Sequence, residues 1–353
     1  MASKPRRRCH TRHKLALIAA IALLTPALAL ATGAEEESED EVVTLTWSAV
    51  SVPDDAHSKA MLEFERVVEE VSGGQIQVEI FLAGELYNQD TGLPAMRRGN
   101  LDMHYTGPNW LAEFVPYVSM FAAPYIFDSY DHMSQTFNGP VGEEMFDDVA
   151  EQVGVRPLGA YYLGTRQLNL RDIGRVVRTP DDMEGVKLRM PNTEAWQLMG
   201  RALGANPTPL AFTEVYLALQ SGTIDGQDNP LPTDFNAKFY EVTKYIILTD
   251  HYINPIMPTI NEEKWQSLTD EQKSWVMEGI AAGQELCDSL NLQQEAELIE
   301  FFEGEGMEII TPDKEAFKAY ALDFIMSDEE IVSTWNMEYF EQIQALGVQL
   351  KTQ

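Results

Sequence analysis

The sequence predicts an α/β protein with two domains and a long helix that spans them. Three observations carry this expectation. Residues 42–105 alternate between β-branched or period-two runs and runs with apolar residues at helical spacing, in the order β-α-β-α-β. That order implies a parallel sheet with right-handed crossovers. A chain of 353 residues is long enough for two cores. Residues 261–303 read as mostly helix, a length that suggests an element reaching across both domains.

The first 31 residues are of another kind. Lys4, Arg6, Arg7, Arg8, Arg12 and Lys14 form a basic start, residues 15–30 are apolar, and Ala29-Leu30-Ala31 fits a small-residue cleavage site. This predicts a secretory signal peptide rather than a membrane span. The mature chain is then exported and keeps a single cysteine, Cys287, which excludes an internal disulfide. Residues 32–41, with the acidic run EEESEDE, read as a disordered leader.

Removing six basic and no acidic residues with the signal leaves 19 Lys/Arg against 56 Asp/Glu, a net charge of −37 compared with −31 for the whole sequence. Nucleic acid and anionic membranes are disfavoured as partners. Acids scattered over an exported chain suggest either a salty surrounding, where screening relieves their repulsion, or simply an ordinary acidic surface.

Residues 42–50 (VVTLTWSAV) predict the first strand. Residues 54–71 predict a helix with Met61, Phe64, Val68 and Val71 on one face, stopped by Ser72-Gly73-Gly74. Residues 75–81 alternate as a strand, a short helix ends at Arg98, and residues 101–105 form a third strand. The loop 106–110 follows at the strand edge where α/β sheets place ligand groups, so Asn109 and Trp110 are cleft candidates, with Trp110 equally readable as core. Helices are predicted over 129–137 and 139–153, and a strand from 155 to 163 that crosses to the second domain. Thr179-Pro180-Asp181-Asp182 caps a turn before the strand at Val186. Helices follow over 193–203 and 213–221, then two strand-like runs over 245–250 and 256–260, and two or three helices after 311 that pack on the second domain.

Within 185–230 two polar residues stand where apolar strands meet turns. Arg189 ends Val186-Lys187-Leu188, and Asn229 follows the turn Asp225-Gly226-Gln227. The planar guanidinium fork suits a carboxylate, so Arg189 is read as the anion-gripping group of a cleft. The competing reading of Arg189 is an ion pair with a nearby acid, and that of Asn229 is a turn residue before Pro230. His57, His104, His132 and His251 form no metal pair at helical spacing, and no HExxH, CxxC, GxSxG or Walker loop occurs. The acid pairs Asp54-Asp55 and Asp181-Asp182 read as caps rather than as catalysts. No metal, cofactor or catalytic residue is expected.

Several segments, in this order and spacing, resemble the extracytoplasmic solute-binding subunit of tripartite ATP-independent periplasmic (TRAP) transporters, DctP type. They are Gly99-Asn100-Leu101-Asp102, Gly164-Thr165-Arg166, the run PDDMEGVKLR at 180–189, GANPTP at 204–209, EVYLALQ at 214–220 and DGQDNP at 225–230. The resemblance implies a periplasmic-binding-protein-like fold with a ligand cleft between two domains, of which 42–163 with about 255–294 form the first and 164–254 with about 295–353 the second. It makes Arg189 the carboxylate clamp, Asn229 its helper and Arg166 a second cleft arginine, a role Arg171 or Arg175 could exchange. Phe212 and Asn192 match cleft-lining positions, and Gln89 and the 106–110 loop match positions that vary with substrate. Gly107 stands where the sialic-acid branch has an acid, which disfavours that ligand. GQDNP replaces the motif of the cation-chelating variant.

The function expected is capture of a small organic acid, a sugar acid or dicarboxylate, by a monomer that delivers it to TRAP membrane subunits. Asn109, Trp110, Tyr161, Gln89 and Asn229 together tilt the choice toward a polyhydroxy acid. The alternatives are a secreted hydrolase, which would need a nucleophile–base pair that is not visible, and a sensory ligand-binding domain, which would need a signalling segment.

Overall fold

The structure is a computed structural model that describes residues 42–352. The signal and leader expected over 1–41 lie outside the described residues. Strand β1 (Val43–Ser48) leads through the Asp55 cap into helix α1 (Ala56–Val71), as the acid pair there predicted. The chain continues through β2 (Ile76–Phe81), α2 (Gly92–Arg97), β3 (Met103–Thr106) and α3 (Pro108–Leu111). After a 3-10 turn come α4 (Tyr130–Phe137) and α5 (Pro140–Val153). Next are β4 (Val155–Pro157), β5 (Tyr161–Leu170), β6 (Lys187–Met190), α6 (Glu194–Ala202), β7 (Asn206–Pro209), α7 (Val215–Ser221), β8 (Gly226–Pro230) and α8 (Leu231–Asn236). The chain ends with β9 (Tyr245–Asn261), α9 (Glu262–Ser267), α10 (Asp270–Gly304), β10 (Glu308–Ile310), α11 (Lys314–Met326), α12 (Glu329–Val332) and α13 (Met337–Leu350).

The first three strands pair in parallel, as the β-α-β-α-β order over 42–105 predicts, while the sheet as a whole is mixed. Its order is β2-β1-β3-β9-β5-β8-β6-β7, with β4 and β10 on opposite ends of β9. Pairing is parallel within β2-β1-β3, within β8-β6-β7 and between β10 and β9, and antiparallel where β5 meets β8 and β9 and where β9 meets β3 and β4. The two parallel triplets are the centres of two lobes. Strand β5 runs from the first lobe to the second and β9 runs back, so they must pair antiparallel. The two runs expected at 245–250 and 256–260 are one 17-residue strand. β7, with the sequence NPTP, lies at the sheet edge, where proline's missing N–H is tolerated.

The register of β5 on β9 shifts between Tyr162 and Gly164 and again between Arg166 and Leu168. Such bulges bend a strand and re-aim its side chains. Gly164 sits at φ 127°, and a Cβ there would lie 2.5 Å from Cβ of Pro230. Helix α10 is the expected long helix: its 35 residues span about 50 Å. Its N-terminal part packs on α1 and its later part on α8 and β10. A Thr269–Gln272 capping box starts it. The first-lobe core gathers Trp47, Phe64, Met103 and Ile260 around Ile280 of α10. Phe302 and Leu298, farther along α10, pack with Ile246 in the second lobe. Helix α11 packs on α6 and β9, whereas α13 packs on α4 instead of following α11.

Candidate functional site: a cleft between two lobes

Between the lobes lies a cavity of about 110 Å³. This is the same order as a cavity that takes up a benzene ring, so it admits a small solute and not a peptide.

The second-lobe wall is built on strand ends. Arg189 closes β6, where the side chain is 1% exposed. Its Nε donates to the Leu210 carbonyl at 2.8 Å, and its Nη2 has no partner. It forms no ion pair with any described residue. Burial, and then the neighbouring Arg166, lower its pKa to about 9, so it remains charged at neutral pH. Phe212 stands beside it, its ring centroid 5.9 Å from the guanidinium carbon.

Arg166, on β5, is held differently. Nε donates to Asp228 Oδ2 at 2.7 Å, Nη2 to Asp228 Oδ1 at 3.1 Å and Nη1 to Asn254 Oδ1 at 2.9 Å. Its guanidinium lies 4.5 Å from the centroid of the Trp196 ring. His251 Nε2 is 3.1 Å from the same Asp228. Burial alone would raise the Asp228 pKa, but Arg166 and His251 outweigh it and hold this carboxyl below the usual range. Arg171 packs against Gly222, and Arg175 is tied to the carbonyls of Asp182 and Glu184, so neither takes over the role of Arg166 at the cavity.

Asn229 was expected after a turn. It instead lies within β8, paired with Gln167 of β5. All five residues of β8 (GQDNP) are buried, because its polar side chains bond to one another and to neighbouring elements. Asn229 Nδ2 donates to Gln227 Oε1, and Gln227 Nε2 donates to Asp234 Oδ1 at 2.7 Å. Burial raises the Asp234 carboxyl well above its ordinary pKa. The amide of Asn229 is therefore fixed before any ligand arrives.

The first-lobe wall carries Gln89, Trp110, His57 and His104. Gln89 Nε2 and Trp110 Nε1 are buried without partners. Trp110 meets Trp196 edge-on at 5.4 Å, so it serves the cavity and the packing at once. His104 bonds Ser48 O through Nδ1 at 2.6 Å, and burial lowers its pKa to about 4. Its ring packs where a side chain at Gly92 would stand, 2.4 Å from a Cβ there.

Of the expected residues, the cavity is lined by Arg189, Asn229, Arg166, Phe212, Gln89 and Trp110, but not by Asn192, Asn109 or Tyr161. Asn192 sits at the rim, its Nδ2 donating to Asp90 Oδ2 of the other lobe at 2.7 Å. Asn109 is wholly buried behind Trp110, with its carbonyl accepting from Thr193 Oγ1 at 2.7 Å. Tyr161 spends its hydroxyl on the Ile280 carbonyl at 2.8 Å. The sequence reading missed His57, Trp196 and Asn236 as lining residues. For His57 a signal existed, since it stands two residues after the Asp55 N-cap, in the first turn of the helix that follows the first strand. No comparable signal marked the other two.

Comparisons with known proteins give the family. A family model, bacterial extracellular solute-binding protein family 7 (DctP), matches residues 48–326. A solute-binding protein of Roseobacter denitrificans is 34% identical over 316 residues, 89% of this chain and 95% of that protein. The sialic acid-binding periplasmic protein SiaP of Vibrio cholerae is 34% identical over 251 residues, 71% of this chain and 77% of that protein. Among solved structures, a TRAP periplasmic solute-binding protein of Roseobacter denitrificans with bound 3-deoxy-D-manno-oct-2-ulosonic acid superposes with a TM-score of 0.83 at 38% identity, covering 87% of this chain and 100% of that one. Another from the same organism, with bound L-galactonate, gives 0.79 at 32% identity, covering 87% and 99%. The chain belongs to the DctP-type family of TRAP transporter solute-binding proteins, with their two-domain α/β fold.

Proposed function

We propose that this protein captures a sugar acid in the periplasm, holds its carboxylate with Arg189, and hands it to the membrane subunits of a TRAP transporter. One observation carries the reading. Of two buried arginines on the cavity wall, Arg166 is already paired with Asp228, while Arg189 has no acid of its own. An unpaired buried charge is costly. A ligand carboxylate entering the cleft relieves that cost, and links binding to closure of the lobes. The sugar acids bound by the two Roseobacter denitrificans relatives support a polyhydroxy acid over a dicarboxylate. Relatives of this family are transporter binding proteins, and no step here needs covalent chemistry.

The test is a thermal-shift screen of residues 32–353 against sugar acids, dicarboxylates and uncharged sugars. A ligand at about a hundred times its Kd adds about 2.7 kcal/mol of stability. Arg189→Ala should weaken binding of the acid found by about 100- to 1,000-fold, with the fold retained. Undiminished affinity in that variant would refute the clamp.

A further inference from the structure

Among the buried polar atoms of the cavity wall that have no partner, donors predominate. The buried, unpartnered polar atoms among its lining residues are Arg189 Nη2, Gln89 Nε2, Trp110 Nε1, Trp196 Nε1, Asn236 Nδ2 and His57 Nε2. The first five are N–H donors. Only the sixth, on the imidazole, can be an acceptor, and its tautomer decides.

The surroundings of His57 fix that tautomer. The residue is 3% exposed, in the first turn of α1. Its Nδ1 lies 3.2 Å from Asp55 Oδ1, and its main-chain N–H donates to the same oxygen at 2.8 Å. A carboxylate accepts and does not donate, so in the neutral ring the proton sits on Nδ1 and a lone pair is left on Nε2. The ring cannot easily turn away. Its edge meets the Tyr105 ring at 5.3 Å, and the Tyr105 hydroxyl donates to the His57 carbonyl at 3.1 Å.

We infer that His57 is a specificity-determining residue that accepts a hydrogen bond from a ligand hydroxyl, and so selects hydroxylated acids over acids with a second carboxylate at that end. A carboxylate oxygen has no proton to offer and would meet the Nε2 lone pair repulsively. A hydroxyl satisfies His57 with its proton, and its oxygen is free to accept from the donors around it. The inference rests on the sugar-acid reading above and adds the residue that enforces it.

The experiment is calorimetric titration of residues 32–353 with L-galactonate, 3-deoxy-D-manno-oct-2-ulosonic acid and adipate, for the wild type, His57→Leu, His57→Gln and Arg189→Ala. His57→Leu should lose about 10- to 100-fold in affinity for the sugar acid that binds, and most of the preference over adipate. His57→Gln, which can present an amide oxygen, should recover part of the loss. In parallel, the 15N spectrum of histidine-labelled wild type should show His57 Nε2 unprotonated without ligand, and shifted when ligand is added. That spectrum decides the matter if His57→Leu does not fold. Sugar-acid binding lost in Arg189→Ala but unchanged in His57→Leu overturns the role of His57 and leaves the transport reading intact. A protonated Nε2 in the ligand-free protein overturns it too. Adipate binding in place of both sugar acids overturns the sugar-acid reading itself, and His57 selection with it.

Discussion

On the second-lobe side two groups are hydrogen-bonded before any ligand enters, Arg166 with Asp228 and His251, and Asn229 with Gln227 and Asp234. On the first-lobe wall Gln89, Trp110 and His57 each keep a buried polar atom without a partner. The first arrangement fixes geometry, because every side chain in it is oriented by another. The second leaves capacity for the solute to use. Under the function proposed above, the common task, gripping an acid, belongs to the strand ends of one lobe. Discrimination among acids falls to the loops and the helix start of the other. Arg189 stands outside those bonded groups: like Trp196 and Asn236 of the same lobe it keeps a buried polar atom without a partner, and it is the charged one of the three.

Breaking the wired wall should have the largest effect. Asp228→Asn leaves Arg166 buried without its acid, and stability should fall by about 3–5 kcal/mol in chemical denaturation. A loss below about 1 kcal/mol would mean the pair does not organise the wall. The unpaired wall should be sharpened by pH instead. His104 has a pKa of about 4 in the fold against an ordinary 6.5, so between those values the unfolded chain binds a proton the native one does not. Stability from this group is therefore complete above about pH 6.5 and lost as the pH falls toward 4, by about 3 kcal/mol in total. His104→Gln should flatten that stretch of the Tm–pH curve, and an unchanged slope would show that His104 is not its source. The smallest effect should come from salt. With a net charge of −31 over the whole sequence, the Tm should rise by a few degrees from low to molar salt. Ligand affinity at the buried Arg189 should respond less than it would at an exposed site, and a Tm indifferent to salt would separate the acidic surface from any salt adaptation.

The two walls also differ in how far the sequence revealed them. Arg189, Phe212 and Asn229 come from one stretch of about fifty residues, and their strand-end positions are local features. His57, Gln89, His104 and Trp110 come from four separate places, and only the tertiary fold brings them together. Single-residue errors have simple geometry behind them. Pro191 lines the cavity and Asn192 does not, because neighbours in extended chain point opposite ways. Trp110 lines it and Asn109 does not, because consecutive residues of a helix face about 100° apart. The ion pair weighed for Arg189 exists, but on Arg166. Its acid, Asp228, is 62 positions away in sequence, and no local pattern links the two. Mixed strand direction escaped for the same reason, since periodicity carries no information about which way a strand runs.

The crossing of β5, β9 and α10 through both lobes has a consequence for how such a protein can change over generations. Two strands hydrogen-bonded along their length, with a 35-residue helix packed across them, leave no point at which one lobe could be cut from the other and folded alone. The lobes are not modules. A lineage that acquires a new solute cannot import a ready-made half from a relative. It must change single side chains on the less wired wall while the shared sheet is kept.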